Sequence, residues 1–183
     1  MAGGASSASW NRTARALHWS MAALIGVQGL LGWIGHEMER SPLKIEVMTA
    51  HKSLGITLLL LALWRLLWRW AHGAPPPPPA DRRWEILAAR LSHALLYLLM
   101  FAVPVSGWLA ASTSIIPWKF WWLLPWPDIA APDRALHDLV GEIHEVLFKV
   151  LLALLAIHVA AALWHQFGRR DGLLLRMWRG RAT

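Results

Sequence analysis

Nine of the 183 residues are histidines, and three of them interrupt one long apolar run, "GEIHEVLFKVLLALLAIHVAAALWH" at 141–165. These are His144, His158 and His165. Ionisable side chains inside such a run are costly and usually functional. His144 and His158 lie fourteen positions apart. On a helix that is close to four turns, about 21 Å of rise with a net rotation of about 40°. One helix face therefore presents imidazoles at two depths, which suits two stacked cofactors. Imidazole is the usual axial ligand of b-type haem, and two per iron make a six-coordinate centre for electron transfer rather than oxygen binding. A lone buried histidine can equally be a hydrogen-bonded core residue, and a series of them a proton relay.

The elements that must position these residues are membrane helices. The chain is 56% apolar and 16% charged, outside the balance of a soluble domain. It has no cysteine, which excludes disulfides, thiolate metal sites and thioether-linked haem. Four segments meet the ~20-residue requirement for crossing a bilayer: about 16–35, 49–70, 91–111 and 143–167. The third contains Pro104, which should bend it. "APPPPPA" at 74–80 reads as a stiff linker. "IIPWKFWWLLPWPDIAAP", between spans three and four, is too short and proline-broken to cross and reads as an interfacial segment. Most of the fourteen tryptophans fall near span ends, as an aromatic belt does. The first span lacks a cleavage-site pattern and reads as a retained helix. The fold class is thus all-α, an integral membrane four-helix bundle, treated as one membrane domain over 1–183 with a basic tail at 168–183.

Charge predicts direction. The N-terminus, the connection between spans two and three, and the C-terminal tail carry twelve basic residues, and the opposite side carries six. That bias predicts both termini in the cytoplasm. It also explains the net charge of +7 without a nucleic-acid partner. With this direction His18 and His158 share the inner level, and His51 and His144 the outer one. Two competitors remain by spacing. His36 is eighteen positions after His18 on the same face, about 27 Å along the axis against about 21 Å between the span-four histidines. It lies beyond the apolar run and reads as a loop residue. His93 opens span three at the inner level, and nothing in spacing excludes it in place of His18. His165 reads as a solvated end residue, a propionate contact or a neighbour of the ligands. Gly26, Gly29, Gly32 and Gly55 would let a flat ring approach the backbone, or simply let helices pack. Arg15 and Lys52 are candidate propionate contacts at the two levels.

The ordered set "LHW" (17–19), "HKSLGI" (51–56), "RLLWR" (65–69), "LSHALLYLLMFAVPVSGW" (91–108), "EIHE" (142–145), "LAIHVAAALWHQF" (155–167) and "LLLRM" (173–177) resembles the bacterial cytochrome b561 family of small di-haem membrane proteins. The resemblance covers nearly the whole chain. It implies two b-type haems, with His18 and His158 on the inner iron and His51 and His144 on the outer one. It also implies a second-sphere or quinone-site role for His93, with His165 a further candidate there. The best-understood relatives oxidise superoxide at the periplasmic side of the inner membrane and reduce ubiquinone. By that reading Lys52, Lys119, Arg134 and Lys149 are candidates for an outer patch that attracts superoxide. The alternatives are a quinol-oxidising cytochrome serving a periplasmic electron carrier or partner enzyme, and a non-redox scaffold with structural histidines.

Overall fold

The computed structural model describes residues 9–76 and 82–179. Four long helices run antiparallel in sequence order: α1 (Arg12–Glu37), α2 (Pro42–His72), α3 (Arg83–Ser112) and α4 (Arg134–Leu163). α4 continues as a π-helical turn, Trp164–Arg169, and a short helix α5 (Leu175–Trp178) follows. All four long helices are apolar and long enough to cross a membrane. Each exceeds its apolar run because polar caps lie outside it. The Asn11 side chain accepts from the Ala14 N–H at 2.9 Å, and that of Asp133 from Leu136 at 3.0 Å. Ser41 accepts from Lys44, with Pro42 preset for the first turn. These longer helices correct two expectations. His36 lies in the last turn of α1 rather than in a loop, and His93 sits ten residues into α3 rather than at its start. Of the proline linker only residues 74–76 fall within the described region.

The core is thin and lies between α3 and α4, where Leu96, Leu99, Val103 and Leu151 are buried against Leu147, Phe148 and Leu155. Elsewhere large apolar side chains face outward: Leu98 and Ile157 are each 62% exposed. That inverted pattern is stable only with lipid as the surrounding solvent. Close backbone packing follows the chain, α1 on α2, α2 on α3 and α3 on α4. α4 approaches α1 and α2 mainly through side chains.

The α3–α4 connection holds a two-stranded hairpin, β1 (Lys119–Phe120) and β2 (Leu124–Pro125). Trp121 and Trp122 at its tip have φ of 46° and 62°. Such a backbone is unfavourable for a bulky residue and costs about 1–3 kcal/mol each. Anchors on α2 hold it. Trp121 donates through its backbone N–H to Ser53 Oγ at 2.9 Å and through its indole to Thr57 Oγ1 at 3.1 Å. The Trp122 indole donates to Glu46 at 2.5 Å. The segment thus lies back across one end of the bundle, here termed the loop end. At the opposite, terminal end, the Trp10 N–H donates to Arg176 O at 3.2 Å and the Trp19 indole to Met177 O at 3.1 Å, joining both chain termini.

Candidate cofactor site

Antiparallel packing sorts the histidines into two groups by depth. At the loop end, His51 on α2 faces His144 on α4, ring centroids 6.2 Å apart and planes at 87°. Toward the terminal end, His18 on α1 faces His158 on α4, also at 6.2 Å, with planes at 75°. Two imidazoles sharing one ion at metal–nitrogen distances of about 2 Å hold their centroids roughly 6.3 Å apart when collinear. Both pairs have that separation. Among the described residues no three His, Asp or Glu side chains converge on one point. A pair of imidazoles therefore suits an ion whose remaining ligands come from a macrocycle, as in a six-coordinate haem.

The loop-end pair is oriented by backbone carbonyls. His51 Nδ1 lies 3.2 Å from Gln28 O, and His144 Nδ1 lies 2.9 Å from Val103 O. A carbonyl only accepts, so each Nδ1 carries the proton and each Nε2 keeps a free lone pair, the state a metal ligand requires. Ser106 Oγ adds a contact 3.1 Å from His144 Nδ1. The Gln28 side chain donates to His51 O at 3.0 Å and lies 3.4 Å from His51 Nε2, a contact long enough to yield to a stronger partner. Two glycines make room for the rings. A Cβ at Gly32 would sit 2.8 Å from His51 Cε1, and one at Gly107 would sit 2.9 Å from His144 Cε1. The other glycines act differently from the expected flat-ring cradle. Gly29 admits the Phe148 ring, Gly55 faces Gln28, and Gly26 meets nothing within 4 Å.

The terminal-end group has three members, because His93 on α3 lies 5.5 Å from His158. That separation is shorter than a shared ion requires, whereas the His18 separation matches it. Among the described residues no hydrogen bond orients these three rings. Positive charge surrounds them instead. The Arg65 guanidinium acts on His18, His93 and His158, and its Nε donates to the Tyr97 hydroxyl at 3.2 Å. Arg69 stacks over the same Tyr97 ring at 5.8 Å. Arg15 Nε is buried with no acceptor among the described residues, as expected of a group meant for a carboxylate that the polypeptide does not supply.

His165 lies beyond this group, in the π-helical turn. Its Nδ1 is 2.5 Å from Asp171, which also lies 3.8 Å from Arg169. Burial disfavours the Asp171 charge, but hydrogen bonds from His165 and from the Leu173 N–H, with the Arg169 charge, hold its carboxyl below the usual range. Lys52 Nζ sits 5.7 Å over the Trp118 ring. Three of the four expected superoxide-attracting cations have acidic neighbours: Lys149 pairs with Glu145 at 2.6 Å, Arg134 lies 4.0 Å from Asp138, and Lys52 interacts with the Asp128 charge. Spacing alone did not point to Gln28, Val103, Ser106, Gly107, Arg65 or Asp171. Only the polar residues within apolar spans carried a signal.

A family model described as prokaryotic cytochrome b561 matches residues 9–180. Among curated proteins, the chain is 32% identical to cytochrome b561 homolog 2 of Escherichia coli (strain K12), over 88% of this chain and 87% of that one. It is 29% identical to cytochrome b561 homolog 1 of the same organism, over 92% and 96%. A Yersinia pestis protein named "Probable superoxide oxidase CybB" is 27% identical over 88% and 90%.

Proposed function

This chain belongs to the prokaryotic cytochrome b561 family of multi-pass bacterial inner-membrane cytochromes, and from that premise we propose that it carries two b-type haems and passes electrons from superoxide to ubiquinone. The observation that supports this most is the equal 6.2 Å separation of two imidazole pairs, one at each level of α4. When bound, each haem supplies reversible one-electron transfer at an iron with no open coordination position.

In this reading His18 and His158 hold one haem, and His51 and His144 the other. Gln28 O and Val103 O fix the ligating tautomer of the second pair. Arg15 and Lys52 meet propionates at the two levels. The charge bias orients the terminal end to the cytoplasm and the loop end to the periplasm. Superoxide approaches the periplasmic face, where Lys119 remains as the attracting cation once Lys52, Lys149 and Arg134 are discounted for their acidic neighbours. Overall, two superoxide ions each lose one electron to become dioxygen. One quinone gains two electrons and two protons to become quinol.

Rapid mixing of the purified, haem-loaded protein with superoxide tests this reading. Haem reduction within the mixing experiment, followed by reoxidation on adding ubiquinone, is the expected result. Failure to reduce with superoxide, alongside normal reduction by quinol, would instead favour a quinol-oxidising cytochrome. A reduced-minus-oxidised spectrum without b-type bands would remove the haem reading altogether.

A further inference from the structure

Gln28 on α1 and His51 on α2 hold each other at two points, only one of which belongs to the imidazole. His51 Nδ1 donates to Gln28 O at 3.2 Å, and in return the Gln28 side-chain amide donates to His51 O at 3.0 Å. A carbonyl inside a helix already serves the N–H four residues on, here that of Gly55, but its second lone pair is open to a donor from the side. Glycine makes that approach possible. A Cβ on Gly55 would sit 3.2 Å from Gln28 Nε2, closer than most real Cβ contacts. The reverse holds on α1. Gly32, four residues after Gln28, leaves the gap that the His51 ring fills. Each helix therefore offers a glycine one turn after its polar residue, and each polar side chain fills the gap of the other helix. A glutamine within an apolar span is costly to keep there. Its Oε1 is buried with no donor among the described residues, so the polar work of the side chain is carried by its N–H end.

We infer that the Gln28 side chain is a positioning residue for the loop-end centre. It ties α1 to the His51 backbone, and so holds Gln28 O where that atom fixes the plane of the His51 ring at 87° to the His144 ring. The inference rests on the proposed function, since it concerns how the His51 ring is presented to an iron, and it adds a residue that acts through the ligand. The 3.4 Å contact of Gln28 with His51 Nε2 is not needed for this, because the stronger bond is to the backbone carbonyl. The effect is confined to one level. Among the described residues no hydrogen bond orients His18 or His158, whose planes meet at 75°. Axial imidazoles near a right angle leave two iron d orbitals almost equal in energy. The ferric low-spin EPR signal is then strongly anisotropic, and turning one ring toward the plane of the other reduces the anisotropy.

The test uses the full-length, haem-loaded protein with two variants. Gln28→Met keeps the length of the side chain and removes the donor, and Gly55→Ala keeps Gln28 but narrows its opening. Neither change harms the span itself, since methionine enters lipid more readily than glutamine and alanine is a better helix former than glycine. EPR of the ferric protein reads ring orientation, and transfer of haem to apomyoglobin reads retention. The component missing in His144→Ala is the loop-end one. In Gln28→Met its largest g value should shift downward, and its transfer should quicken about two- to tenfold, as loss of one hydrogen bond predicts. Gly55→Ala should shift the same g value the same way, by less. The other component should keep its wild-type g values and transfer rate in both variants. Unchanged g values and transfer in Gln28→Met, with both haems present, would overturn the inference and leave the haem reading standing. Equal changes in the two components would also overturn it, because they mark a loosened bundle. Missing b-type bands in the wild-type protein would remove the haem reading and this inference together.

Discussion

His51 and His144 face each other at 6.2 Å across α2 and α4, and each turns its Nδ1 to a backbone carbonyl of a neighbouring helix. The pair is therefore set in separation, tautomer and direction by all four long helices before any cofactor is considered. If each pair holds its own haem, His144→Ala removes one b-type component and His158→Ala the other. Haem content per chain should fall from two to one in each variant, read by pyridine haemochrome against protein concentration. Full haem content in both variants would refute the assignment.

Gly107 gives a milder test of the same site. A Cβ there would sit 2.9 Å from His144 Cε1, closer than real contacts allow, and His144 Nδ1 is tied to Val103 O and Ser106 Oγ on the same helix as Gly107. Gly107→Ala should therefore displace the imidazole and weaken retention of one haem by about five- to a hundredfold, on the order of 1–3 kcal/mol for overpacking. Gly26→Ala, where nothing lies within 4 Å, is the matched control and should keep wild-type haem content. Equal haem loss from the two variants, measured after dialysis against apomyoglobin, would show that ring displacement is not the cause.

The four spans and the two histidine levels were legible in the sequence because they depend on rise per residue and chain direction, while spacing left His93 open beside His18 at the inner level. Fourteen positions on α4 set two levels, and antiparallel neighbours supply a partner at each. Helix ends were less legible. The N-caps at Asn11, Ser41 and Asp133 start α1, α2 and α4 ahead of their apolar runs, and α1 runs on at its other end to Glu37, which takes in His36. Helix rotation was not legible at all. Gln28 meets His51 across 23 positions, and nothing in apolar composition says which face of α1 turns to α2. The return of the hairpin over α2 was equally hidden, because it depends on Ser53, Thr57 and Glu46 accepting from tryptophans some 70 positions away.

Arg65 places a fixed charge beside the terminal-end histidines, and among the described residues no carboxylate pairs with it. A positive charge favours the state with the extra electron, so it raises the reduction potential of a haem held there. Arg65→Gln should lower that midpoint by tens of millivolts, on the order of 1 kcal/mol at an effective dielectric near 20. The other midpoint should stay in place. Spectroelectrochemical titration reads both, and the component lost in His158→Ala identifies the one expected to move. Tyr97→Phe removes the hydrogen bond and keeps the charge, so it should shift the midpoint less. A fall confined to the other component would contradict this electrostatic assignment.

The Asp171 contact with His165 ties the C-terminal segment to the end of α4, and its pH dependence follows from the lowered carboxyl pKa. A group with a folded-state pKa below its unfolded value stabilises the fold above the unfolded value, and that stability disappears as pH falls through the lowered one. The ordinary aspartate value is about 3.9, so the contact should be complete at neutral pH and lost only in acid below about 4. Asp171 Oδ1 also accepts from the Leu173 N–H at 3.0 Å, which makes that amide the local reporter. Its hydrogen-exchange protection, corrected for the intrinsic rate, should hold from neutral pH down to the ordinary aspartate value and then collapse. Asp171→Asn cannot ionise and should show reduced protection at neutral pH with no further acid transition. Undiminished protection of the Leu173 amide in Asp171→Asn would mean that the segment is held by its other contacts, those of Trp10, Trp19 and Arg15 among them.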